Sequence, residues 1–139
     1  MKSLRTLLKV AARNLEMLRR QLAAQIVRQT AIEDRIAGHR QSVAAEQKFA
    51  LRDYESARAY GGYAGAALAA LRAMEAERDA IAAEIDRLRD LMTEAHIEAR
   101  KFERLIELEE ARERAAREKR EAAELDEMAT LRAGRATRR

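Results

Sequence analysis

The chain has 139 residues and contains no proline, cysteine or tryptophan; 37% of its residues are charged and only 4% are aromatic. That profile belongs to long helices and coiled coils, leaves few β-branched or aromatic residues for a sheet, and excludes a disulfide scaffold and thiol chemistry. The net charge of +4 gathers at the two ends. Lys2, Arg5, Lys9, Arg13, Arg19 and Arg20 lie near the start, and Arg132, Arg135, Arg138 and Arg139 follow the last acid, Glu127.

The first predicted element is a helix over residues 4–59. A 3-4 apolar spacing runs through Leu8, Ala11, Leu15, Leu18, Leu22, Gln25, Gln29, Ile32, Ile36, His39, Val43, Glu46 and Ala50, which is the signature of a coiled-coil seam. Gly38 lies inside it as a tolerated defect costing about 1 kcal/mol relative to alanine. The turn is expected in residues 60–65, around Gly61-Gly62, because glycine takes the left-handed backbone that reverses a chain. A second helix is predicted over 66–131, with a seam of Leu71, Met74, Arg78, Ile81, Ile85, Leu88, Met92, Ala95, Ala99, Phe102 and Ile106. A basic tail over 132–139 follows. The expected fold is all-α, a single antiparallel coiled-coil hairpin whose first arm is ~80 Å long at ~1.5 Å per residue.

Folding about Gly62 sets the seams in register. Val43 then meets Ile81, Ile36 meets Leu88, Ile32 meets Met92, Leu22 meets Phe102 and Leu18 meets Ile106. Glu46 would meet Arg78, Gln29 and Gln25 would meet Ala95 and Ala99, and His39 would face Ile85. Toward the open end the match fails: Leu15 faces Glu109, Ala11 faces Glu113, Leu8 faces Ala116 and Leu4 faces Arg120. Either a local phase shift brings Leu105 and Leu108 to the seam, or Leu4, Leu8, Ala11 and Leu15 form a stripe that docks on another protein. Past Glu121 the second helix overhangs the first and carries Leu125, Met128 and Leu131 at three-residue spacing, the pattern of a recognition segment.

No catalytic, cofactor or metal residues are expected. His39 and His96 lack the Glu-x-x-His spacing of di-iron bundles. Gly61, Gly62 and Gly65 are not followed by the Lys-Ser or Lys-Thr of a phosphate loop. The carboxylates lie along solvated faces where nothing raises a pKa. Nucleic-acid binding is disfavoured because most arginines alternate with glutamates and stacking rings are scarce. The start MKSLRTLLKVAARNL is amphipathic, not a signal peptide. No apolar run approaches the ~20 residues of a membrane span, so a soluble or at most peripheral protein is expected. Phe49, Tyr54, Tyr60 and Tyr63 cluster near the turn, where a two-helix tip cannot bury four rings, and suggest a second binding site there.

The tail reads Leu125-Asp126-Glu127-Met128-Ala129, followed by Arg132, Arg135 and Arg138. With a basic amino-terminal stripe on a long hairpin of this length, it resembles the FliJ family, the small coiled-coil proteins of the bacterial flagellar type III export apparatus. The resemblance implies a fold like the two-helix stalk of the rotary ATPase γ subunit. It also implies a cytoplasmic protein, peripheral at the inner face of the inner membrane, that supports flagellum assembly and motility. The implied partners are the hexameric flagellar export ATPase, the export gate membrane protein and export chaperones. The basic, leucine-bearing open end (Leu4, Leu8, Arg13, Leu15, Leu125, Met128) would suit the ATPase. The family's gate surface points by position to Tyr54, Leu68 and Leu71, although this chain differs in its small, glycine- and alanine-rich tip. The stalk of a virulence-type secretion system and a structural or membrane-associated coiled-coil scaffold are the alternative readings. Self-association at high concentration is also expected of such an amphipathic chain.

Overall fold

A computed structural model describes residues 2–138; the expectations for Arg139 lie outside them. The chain forms two long α-helices, α1 (Lys2–Ala50) and α2 (Tyr54–Thr137), packed against each other as a helical hairpin.

The turn is not at the glycines. It occupies Leu51, Arg52 and Asp53, so α1 ends at Ala50 rather than Ala59 and α2 begins at Tyr54 rather than Ala66. Local polar chemistry accounts for this. The Arg52 N–H donates to the Phe49 carbonyl at 3.1 Å and closes the end of α1. The Ser56 N–H donates to the Asp53 carboxylate at 2.7 Å, and the Ala57 N–H donates to the Asp53 carbonyl at 3.2 Å. Asp53 is thus the N-cap of α2, satisfying an amide that the first turn leaves without a helical partner. Lys48 in the last turn of α1 and Glu55 in the first turn of α2 suit the two helix dipoles. No described residue has a positive φ, so the reversal needs no glycine.

Gly61, Gly62 and Gly65 instead lie inside α2. Each costs roughly 1 kcal/mol relative to alanine in a helix, and packing of the amphipathic face offsets that cost. At its far end α2 runs to Thr137, past the expected stop at 131, and takes Arg132 and Arg135 into the helix.

Two compact units divide the chain, and both helices contribute to each. One comprises Asn14–Glu94 and carries the turn. Its core is Ile32, Ile36, Ile81 and Ile85, with Leu22, Leu71 and Met74 packed against it. Ile32 and Leu88 are the most completely buried large side chains. Arg35 pairs with Glu77 at 3.5 Å and Arg40 with Glu75 at 3.7 Å across the two helices, although exposed pairs of this kind add little stability. The other unit holds the residues up to Arg13 and those from Ala95 onward. There Ala11, Ala95 and Ala99 are buried, Leu4, Leu8, Phe102 and Ile106 are half-buried, and Arg5 reaches Glu110 at 3.5 Å.

Seam membership follows the 3-4 spacing closely. From Leu4 to Val43 every residue at that spacing in α1 is buried or half-buried, as is every one from Leu71 to Ile106 in α2; Ala50 is buried, and only Glu46 is exposed. The pairing between seams differs. Val43 shares a groove with Ala67 and Leu68, not Ile81. Ile81 lines a groove with Gln25, and His39 bonds to Ala67 rather than facing Ile85. Relative to folding about Gly62, the helices are displaced by about two heptads, a shift that maps each seam onto itself. Under this register Ala11 is buried and Leu4, Leu8 and Leu15 are half-buried. The stripe expected to lack a partner within the chain therefore belongs to the seam, and the local phase shift is not what the chain adopts: Leu105 and Leu108 stay exposed.

Candidate functional site

Apolar side chains stand exposed along both helices, among them Val10, Met17, Val27 and Ile97, and two stretches bear on the expected contacts. The first is the final stretch of α2. Every residue from Ala111 to Arg138 is exposed; this stretch follows Glu110, which pairs with Arg5 of α1 at 3.5 Å. Among the described residues no other part of its unit covers the helix beyond. Alternating charges at three- and four-residue spacing, such as Glu110 with Arg114 and Glu113 with Arg117, favour its persistence as a single helix. On it Leu125 is 67% exposed and Met128 53% exposed, with Leu131 following.

The residues considered for an ATPase contact thus separate into two groups. Leu4 and Leu8, and Leu15 in the other unit, are half-buried at seam positions. Arg13, Leu125 and Met128 are exposed. Leu4, Leu8 and Arg13 fall in the same compact unit as Leu125 and Met128.

The second is the tip. Leu51 in the turn is 87% exposed and Tyr54, the first residue of α2, is 80% exposed. Phe49 is exposed beside them, with the Arg52 guanidinium 5.5 Å from its ring centre. Of the residues considered for a gate contact, Tyr54 and Leu68 are open to solvent, while Leu71 packs on the isoleucine core. Leu51 was not singled out from the sequence. The string Leu51-Arg52-Asp53-Tyr54-Glu55-Ser56 does carry a signal, since an aspartate followed by an acid in the next turn marks a helix start.

Electrostatics at the tip centre on Asp53. The backbone and side-chain hydrogen bonds from Ser56 hold its carboxyl below the usual value. Farther along α2, Arg87 donates to both oxygens of Glu84, at 2.6 and 2.9 Å. That fork lowers the carboxyl and raises the guanidinium, and it ties together one exposed face of the helix.

Among the described residues no group of three or more His, Asp or Glu side chains could hold a metal ion. No helix there is long and apolar enough to cross a membrane. Neither family models, curated proteins nor solved structures match the chain.

Proposed function

We propose that the chain is a non-enzymatic stalk and adaptor of the FliJ type in the bacterial flagellar type III export apparatus. In this reading it works in the cytoplasm, at the inner face of the inner membrane. It binds the hexameric export ATPase with one end, engages the membrane export gate with the other, and supports flagellum assembly and motility. The observation that carries the reading is the uncovered end of α2, where Leu125 and Met128 stand exposed in a Leu-Asp-Glu-Met-Ala string ahead of Arg132, Arg135 and Arg138. A helix holding apolar side chains in water with nothing against them is a ligand for a groove. Tyr54, exposed at the tip, and Leu68, exposed farther along α2, supply the contact for the gate.

The half-burial of Leu4, Leu8 and Leu15 moves the proposed ATPase contact onto Leu125, Met128 and Arg13. Purified flagellar export ATPase provides the test, read as stimulation of ATP hydrolysis and as direct binding. Leu125→Asp with Met128→Asp should abolish both while leaving helicity and melting unchanged, because neither side chain is buried. Stimulation equal to that of the unmodified chain would refute this placement of the ATPase contact. Failure of the unmodified chain to bind the ATPase at all would refute the export role.

A further inference from the structure

A groove of about 390 Å³ lies next to the turn, and its walls combine three rings, Phe49, Tyr60 and Tyr63, with two carboxylates, Glu46 and Glu55. The Tyr60 and Tyr63 ring centres are 6.0 Å apart at a 41° tilt, within the range where aromatic pairs brace each other. No lysine or arginine lines the groove; the nearby bases Lys48, Arg52 and Arg58 lie outside its walls. Among the described residues neither Glu46 nor Glu55 enters an ion pair.

Rings beside carboxylates select one class of occupant. An aromatic face attracts a cation, and a carboxylate accepts two parallel N–H bonds from a guanidinium. An apolar occupant would desolvate both acids without replacing their hydrogen bonds. Phe49 already carries one guanidinium, that of Arg52, so the tip itself uses this chemistry. At the other end of the sequence, Arg132, Arg135 and Arg138 are exposed, spaced three apart, and in no ion pair among the described residues. Arg132 and Arg135 lie in α2, where side chains three apart share a helix face, and Arg138 follows its end.

We propose that the Glu46/Glu55 groove binds arginine, and that the arginine is supplied by the Arg132–Arg138 segment of a second copy of the chain. Groove and donor segment are different patches, so the contact is heterologous and repeats tip to tail. The proposal stands apart from the export role and survives or fails without it.

Sedimentation velocity of the full chain over a concentration series tests it. Association should rise with concentration in low salt and fall as salt screens the charges. Glu46→Gln with Glu55→Gln should weaken it by roughly tenfold or more, the loss expected for hydrogen bonds to charged groups. The triple change Arg132→Gln, Arg135→Gln, Arg138→Gln should do the same. All five positions are exposed, and circular dichroism should show helicity unchanged. Mixing the two variants should restore association that stops at a dimer, since one supplies only the groove and the other only the arginines. A wild-type chain that stays monomeric throughout would overturn the proposal. So would a groove variant that assembles like the wild type, or a mixture that does not associate or grows past two chains.

Discussion

The Nε2–H of His39 in α1 donates to the backbone carbonyl oxygen of Ala67 in α2 at 2.8 Å. One such bond between a side chain and a particular carbonyl distinguishes heptad registers that apolar packing alone treats alike. Spin labels at positions 43 and 67 should report close neighbours within one molecule. Labels at 43 and 81 should lie ~20 Å farther apart along the axis, at ~1.5 Å per residue. The opposite order of distances would mean that the helices pair about the glycines after all. His39→Ala should lower stability by about 1 kcal/mol, the usual net worth of a hydrogen bond.

Glycine substitutions test the position of the turn from another direction. An added Cβ at Gly61, Gly62 or Gly65 meets nothing within 4 Å, and none of the three has a positive φ. Each change to alanine should therefore raise stability by about 1 kcal/mol, as should Gly38→Ala in α1, which serves as the control. A loss of stability at Gly61 or Gly62, with a gain at Gly38, would show that the chain reverses there.

The Asp53 cap makes part of the stability depend on pH. Its carboxyl is held below the ordinary value of 3.8 by hydrogen bonds from Ser56. A group whose value is depressed on folding contributes stability that is fully present above the ordinary value and is lost as pH falls through the folded one. Asp53→Ala should therefore lower the melting temperature at pH 7, and the gap from wild type should close as pH drops below about 3.8. A gap that stayed constant into strong acid would remove the charged cap from the account.

Gln25 marks a weak layer in the seam. Its Oε1 is buried without a hydrogen-bond partner, in a seam region that also holds Ile81. An unmatched buried acceptor costs about 1–3 kcal/mol. Gln25→Leu should raise the unfolding free energy by a comparable amount, read as a higher denaturant midpoint at unchanged m, and an unchanged or lowered midpoint would show that the amide finds a partner. A polar layer in a coiled coil often restricts register at the expense of stability, so the same substitution should also broaden the distribution of the 43–67 label distance.

What the sequence by itself determined was the helical class and the membership of the seam. Absence of proline and the 3-4 recurrence of Leu, Ile, Ala and Met identify the positions that turn inward, from Leu8 to Val43 and from Leu71 to Ile106. Only the tertiary structure decided which of those positions meet. Sliding one seam past the other by whole heptads presents the same apolar stripe, so periodicity carries no information about register. The Gly61-Gly62 pair was a plausible turn, because glycine is the residue that reverses chains most freely. Its conformational freedom permits a turn without requiring one. The Asp53 carboxylate on the Ser56 amide, the His39 bond to Ala67, and the enclosure of Leu4, Leu8, Ala11 and Leu15 act together on a register two heptads away. Such long-range and capping terms outweigh roughly 1 kcal/mol per helical glycine, and for that reason the start of the exposed end of α2 at Ala111, rather than past Glu121, and the place of Leu51 at the tip became visible only in the folded chain.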